Sequence, residues 1–234
     1  MRPPLPAGAA LVVALVMAGC QEKGAASSSP PVEPMPRAAD VPLGSGFDFY
    51  VLALSWSPSY CASEGDRANR QQCGARPSHG FVVHGLWPQF AQGYPADCET
   101  ELPLSVERSM SDTMLDIMPS TGLVRHQWKK HGTCTGLSQA DYFSVTRMAR
   151  DRIAVPANFV RRDAHAALDP DDVEGAFIAA NPDMPADAVA VTCDRRFLRE
   201  VRICLSKDMT AFVSCPEVDR KDCPRDSAIM PPTP

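Results

Sequence analysis

The 234-residue chain has five histidines, and three of them fall in two short segments. The first is Phe81-Val82-Val83-His84-Gly85-Leu86-Trp87-Pro88. The second is Arg125-His126-Gln127-Trp128-Lys129-Lys130-His131-Gly132-Thr133-Cys134. Wound as a helix at about 100° per residue, the second segment gathers His126, Gln127, Lys130 and His131 into an arc of roughly 140°. His126 and Lys130 are i,i+4 neighbours, as are Gln127 and His131. Trp128 lies beside this face and can pack inward, and Gly132 ends the turn. An ammonium and protonated imidazoles donate charge-assisted hydrogen bonds to anionic oxygens, so the face suits a phosphate.

Metal-free cleavage of a ribose phosphodiester needs a base for the 2′-hydroxyl proton, an acid for the departing 5′-oxygen, and a donor for the extra charge on phosphorus. Histidine suits both proton transfers because it titrates near working pH. The second imidazole has to come from another stretch of chain to stand across the phosphorus, and His84 is available. Blander readings exist for each residue. A lone histidine between Val82 and Leu86 is more often a core side chain, and Lys129-Lys130 alone is usually a solvated surface. Cys134 near His131 suggests a thiol nucleophile, but the even number of cysteines left for pairing favours a disulfide. The i,i+5 spacing of His126 and His131 does not suit one metal ion. His79 and His165 read as surface residues. Trp87, Phe90 and Tyr94 follow His84 closely and can either enter the core or stack on bases.

The formal charge of −5 argues against a general nucleic-acid coat, which would be basic throughout. Against that acidic average, Arg125, His126, Lys129, Lys130 and His131 form a local basic cluster. No apolar run reaches the roughly 18 residues of a membrane-spanning helix. Residues 1–20 read as an export signal, with Arg2 ahead of an apolar stretch from Ala9 to Met17. Met17-Ala18-Gly19-Cys20 resembles the lipobox of bacterial lipoproteins, which makes Cys20 a lipidation candidate. Gln21 rather than Asp after it suggests the outer membrane. The expected location is therefore periplasmic and lipid-anchored, or otherwise periplasmic or secreted. Nine cysteines is an odd number, and setting Cys20 aside leaves eight that can form four disulfides in an oxidising compartment. Spacing alone leaves their pairing open. A zinc site is disfavoured because no C-x₂-C or C-x₄-C pair occurs.

Residues 21–46, rich in Ser, Pro, Ala and Gly, read as a flexible linker, residues 47–226 as one catalytic domain, and residues 227–234 as a disordered tail. Within the domain, strands are expected at Phe47–Leu54 (ended by Ser57-Pro58), at Phe81–His84 (stopped by Gly85 and Pro88), and at Ala188–Thr192, Phe197–Leu205 and Ala211–Ser214. Helices are expected over Leu104–Met118, from the Ser138 cap to about Arg152, and from Asp169-Pro170 to Asn181. Strands and helices mix without strict βαβ alternation, which makes the class α+β.

His84-Gly85-Leu86-Trp87-Pro88 and Lys130-His131-Gly132-Thr133-Cys134, with His126 and Trp128 ahead, resemble the paired active-site signatures of the ribonuclease T2 family. The resemblance runs from Phe47 to Cys223 and includes the strand with Trp56 before Tyr60-Cys61. It implies an exported, monomeric endoribonuclease with a central, mostly antiparallel sheet, packed helices and no cofactor or metal. Such an enzyme acts on single-stranded RNA and not on DNA, through a 2′,3′-cyclic phosphate, and meets the membrane only through the N-terminal lipid. By matching position, His131 is the base, His84 the acid, Lys130 the charge stabiliser and His126 a phosphate ligand, with Trp87 and more weakly Tyr94 stacking on a base. The resemblance also implies the bridges Cys98–Cys134, Cys193–Cys223 and Cys204–Cys215, leaving Cys61 with Cys73. One position departs. Gln127 stands where the family usually has Glu, so the nearby histidines are expected to titrate lower and the optimum to lie closer to acid pH. An amide still donates to a phosphoryl oxygen, so activity is expected to survive. The alternative is a binding or signalling protein that kept the fold and lost turnover, with Gln127 the only feature in its favour.

Overall fold

The structure is a computed structural model that describes Met1 and residues 41–233. The expected export signal with Cys20, and residues 21–40 of the expected linker, lie outside the described residues. Tyr50 to Leu54 are apolar at every position, and a strand apolar on both faces has to be covered on both. They form the middle of β1 (Phe49–Trp56), buried throughout that stretch. Its neighbours are β2 (Phe81–Gln89) and β5 (Leu198–Leu205), and β4 (Val189–Cys193) completes a four-stranded sheet of order β2-β1-β5-β4. Every pairing in it is antiparallel. A second sheet pairs β3 (Ala166–Leu168) with β6 (Ala228–Met230). The helices are α1 (Ser57–Glu64), α2 (Arg70–Cys73), α3 (Arg108–Asp112), α4 (Thr121–Lys130), α5 (Gln139–Arg152), α6 (Pro170–Ala180) and α7 (Pro216–Asp219).

The two faces of the main sheet differ in kind. One carries Tyr50, Leu52, Leu54 and Trp56 with Val83, Leu86, Val201 and Ile203 into the main core, against α4, α5 and α6. The other carries Val51 into a small second cluster with Ala190, Cys204, Cys215 and Val218, against which Trp87 packs. That face is the one available for a site.

The α+β class and the antiparallel sheet are as expected, and so are all four disulfides: Cys61–Cys73, Cys98–Cys134, Cys193–Cys223 and Cys204–Cys215. Several boundaries differ. Ser57-Pro58 does not merely stop β1; it opens α1, since proline at a first helical turn gives up no needed N–H. Strand β2 runs past Gly85 and Pro88 because it is the sheet edge, where a missing donor costs little. Only Arg108–Asp112 of the expected Leu104–Met118 helix is helical. Ser109, Ser111, Asp112 and Thr113 are poor helix formers, and the Thr113 hydroxyl donates to the Met110 carbonyl in place of ladder continuation. Ala211–Ser214 is not a strand; it contributes an isolated bridge between Phe212 and Leu205.

Both ends of the domain are longer than expected. Val41 and Phe47 are buried, and Ser45 donates its backbone N–H to the Thr135 carbonyl, so residues 41–46 belong to the fold and not to a linker. At the other end the expected disordered tail contains β6. Met230 and Thr233 are buried, and the fully buried Trp56 donates its indole N–H to the Pro231 carbonyl at 2.9 Å. Ending the chain after Ser227 strands that indole donor, a loss of about 1–3 kcal/mol before the lost apolar contacts are counted. Thermal denaturation of the shortened protein should show a clearly lower melting temperature; coincident melting curves would show that the segment contributes nothing.

Candidate active site

Ser120 caps α4 by accepting from the Leu123 N–H, which fixes where the helix starts and hence which residues share a face. Trp128 is fully buried and donates its indole N–H to the Pro103 carbonyl. With Trp128 anchored, His126, Gln127 and Lys130 turn toward the sheet edge, and His131 follows at the C-terminal end of the helix. A side chain at Gly132 would collide with the Trp128 ring. The Cys98–Cys134 bridge ties down the turn that follows.

His84 reaches the same place by a different device. Residues 84 and 87 are three apart, so in a regular strand their side chains would point to opposite faces. The register shows why they do not: Leu54 pairs with Val83 and Ala53 with Gly85, which leaves His84 as the extra residue of a bulge. His84 and Trp87 consequently share one face. Between them, Gly85 lies beside Ala53 of β1, two small residues under the site, and Ala53 in turn lies beside Arg202 of β5. A Cβ at Gly85 would run into Gln127 Oε1 and Trp87 Nε1, so α4 can approach this closely only over a glycine.

The result is a cleft of about 350 Å³ whose lining includes His84, Trp87, Tyr94, His126, Gln127, Lys130 and His131. Every catalytic and substrate-binding residue expected from the sequence therefore lines one cleft. The Trp87 ring contacts both His84 and His131, 5.4 Å from His84 edge-on and 5.4 Å from His131 in a stacked arrangement. Its indole N–H donates to Gln127 Oε1 at 2.9 Å. Because that N–H can only donate, the other amide atom of Gln127 is the NH₂, itself only a donor. Gln127 is 1% exposed and Tyr94 is 54% exposed, so the first is built into the wall and the second is open to solvent at the cleft.

Five lining residues were not singled out from the sequence as site residues: Val51, Gln89, Arg202, Val218 and Lys221. Glu200 lines a second cleft that meets the first at His84 and His126. Its Oε1 lies 2.5 Å from His84 Nδ1, and its Oε2 accepts from Arg202 Nε at 3.1 Å and Nη2 at 2.9 Å. The Arg202 guanidinium also lies 5.2 Å from the Trp87 ring centre, a cation–π contact. Glu200 and Arg202 stand two apart in an apolar strand, on one face. Glu200 is buried and Arg202 half-buried, and two opposite charges two apart in a strand are a signal in the sequence that they serve a site.

Electrostatically the two imidazoles are in opposite surroundings. Burial, then the charges of Lys130, His84 and His126, push His131 down to about 3. The ring is 5% exposed, and its Nδ1 has no hydrogen-bond partner among the described residues. His126 is lowered by burial and by Lys130 and His84. Burial alone would raise the Glu200 carboxyl, but its hydrogen bond and charge interaction with His84, and then Arg202, hold it down at about 2. Glu200 is therefore a carboxylate at any working pH, and a carboxylate can only accept, so the hydrogen between it and His84 belongs to Nδ1.

Residues 47–215 match the model of the ribonuclease T2 family. A ribonuclease of Aeromonas hydrophila is 36% identical over 194 residues, spanning 76% of this chain and 81% of that protein. Ribonuclease I of Escherichia coli strain K12 is 26% identical over 206 residues, 69% of this chain and 76% of that one. Among solved structures, RNase NT in complex with 5′-AMP is 25% identical and superposes with a TM-score of 0.56 over 74% of this chain and 92% of its own. An RNase-related protein from Calystegia sepium, 20% identical, shares the fold with a TM-score of 0.61 over 81% of this chain and 100% of its own. With both signature segments on one cleft and the family model covering most of the folded region, the chain belongs to the ribonuclease T2 family, a family of endoribonucleases.

Proposed function

We propose that this chain cleaves single-stranded RNA by attack of the ribose 2′-hydroxyl on the adjacent phosphorus, through a 2′,3′-cyclic phosphate, with His131 as base and His84 as acid. The observation that carries the reading is the contrast between two imidazoles that both contact one indole. His131 is buried beside cations and kept neutral, while His84 is hydrogen-bonded to a carboxylate. Two like groups in such different surroundings divide naturally into proton acceptor and proton donor.

In the first step His131 takes the 2′-hydroxyl proton, the 2′-oxygen bonds to phosphorus, and the 5′-oxygen leaves with a proton from His84. The Lys130 ammonium and the Gln127 NH₂ donate to the non-bridging oxygens as charge builds on them, and His126 holds the phosphate. His131 is then protonated and His84 is not, which suits hydrolysis of the cyclic phosphate with the roles exchanged. Tyr94 and the exposed part of Trp87 offer stacking surfaces for a base, each worth about 1–3 kcal/mol. DNA lacks the nucleophile and is not a substrate. The exported, monomeric, lipid-anchored state belongs to the same proposal. Its exported part is supported by four disulfides using all eight cysteines beyond Cys20, as expected of an oxidising compartment.

Purified protein should degrade RNA, spare DNA and be indifferent to chelator. Replacing either His84 or His131 by Ala should lower kcat/KM by about 10²–10⁴, the usual worth of a positioned acid or base. RNA bound without turnover by the unaltered protein would favour the binding-only reading, and activity retained by both variants would refute the assignment.

Gln127→Glu tests the departure from the family pattern. A carboxylate at this position favours imidazolium at His131, so the pKa rises from about 3. The base is then neutral only at higher pH. The acid limb of the kcat/KM profile should move up by about 1–3 units, the usual effect of an opposite charge this close. A limb that stays where it was would show that residue 127 does not set the field at His131.

A further inference from the structure

Resting on the reading of His84 as proton donor, we propose that Glu200 is a positioning residue of the reaction. Glu200 holds the His84 ring with its hydrogen on Nδ1 and Nε2 left for the leaving oxygen, and Arg202 holds Glu200 in turn.

The contacts account for both carboxylate oxygens. Oε1 accepts from His84 Nδ1 and from the Ser55 hydroxyl at 3.3 Å; Oε2 accepts twice from Arg202. Three strands supply the parts: His84 from the bulge of β2, Ser55 from β1, and Glu200 and Arg202 from β5, where Glu200 is paired directly with Ser55. A carboxylate 8% exposed is expensive to desolvate, and an apolar residue of similar volume would stabilise the sheet at least as well. Stability alone is therefore a poor reason for a charge here. Orientation of a histidine is a good one, since a carboxylate on one ring nitrogen sets which nitrogen faces the substrate.

The surroundings of His84 leave no other candidate for that task. From α4 and its C-terminal end it faces His126, Lys130 and His131; from β5 it faces Glu200, Arg202 and Arg199; from α1 it faces Tyr60. Glu200 is the one acidic side chain among the described residues lining the two clefts that meet at His84. With an amide at residue 127, it supplies the only carboxylate among the described residues in direct contact with His84 or His131.

The test combines Glu200→Gln and Glu200→Asp with a measurement on the unaltered protein. Glu200→Gln keeps the volume and removes the charge. Its kcat should fall about 10- to 100-fold, the usual loss on removing an orienting partner, with KM unchanged because substrate contacts are intact. Glu200→Asp keeps the charge and should recover most of that kcat, which a merely packing role would not require. A kcat unchanged in Glu200→Gln, or a fall that Glu200→Asp does not recover, overturns the proposal. Should the variants not fold, ¹⁵N NMR of the unaltered protein decides: neutral His84 should carry its hydrogen on Nδ1, and the Nε2–H tautomer would overturn it. That spectrum does not depend on turnover, so failure here is distinct from failure of the His84 assignment, which His84→Ala tests.

Discussion

Everything in the cleft depends on how closely α4 lies against the edge strand β2. At Gly85 there is no room for even a methyl group, because Gln127 and the Trp87 indole occupy it. The contact that results, Trp87 N–H to Gln127 Oε1, locks the orientation of both side chains. With the indole fixed, it gives His84 an edge-on neighbour and His131 a ring to stack on. Gly132 repeats the device at the end of α4, where the absent side chain lets Trp128 pack beneath the turn. The shape of the cleft is thus set by two glycines and two buried or half-buried tryptophans, with the buried His131 ring stacked on one of them.

A second constraint is electrostatic. The site gathers His84, His126, Lys130, His131, Arg202 and Lys221 around one cleft of a chain whose net charge is −5. Such a cluster is tolerable only if some members are neutral or paired. Burial keeps His131 neutral, the Glu200 carboxylate takes up both Arg202 and His84, and Lys221 is paired with Glu217. Lys130 is left facing the cleft without a carboxylate among its neighbours there. An incoming phosphodiester supplies the missing negative charge, and affinity should fall with salt as for other phosphate-neutralising surfaces.

How much of this was legible in the sequence follows from the range of the interactions. The face formed by His126, Gln127, Lys130 and His131 is set by helical periodicity over six residues, and it could be read directly. That His84 joins it depends on a bulge and on pairing with β1, which no local pattern reveals; the resemblance to a family supplied it. Glu200 and Arg202 were passed over because their partner lies 116 residues away, although two charges at i,i+2 in an apolar strand were visible. Pro88 misled the reading of β2, since whether a strand is central or at an edge is a property of the whole sheet. The last residues look like a tail because Pro231 and Pro232 dominate them, yet the Pro231 carbonyl caps the buried Trp56 indole. Serine, threonine and aspartate in residues 109–113 cut short a helix whose apolar spacing looked adequate.

The central claim, two imidazoles on opposite sides of one phosphorus, is tested most directly by a crystal structure with a dinucleotide whose attacking hydroxyl has been removed. On this mechanism the phosphate lies in the cleft beside Lys130. His84 Nε2 should be within roughly 2.6–3.2 Å of the 5′-oxygen, and a His131 ring nitrogen should reach the 2′ position at a similar distance or through one water. A phosphate bound in the cleft with either ring turned away from it, or seated outside the cleft altogether, would contradict the claim.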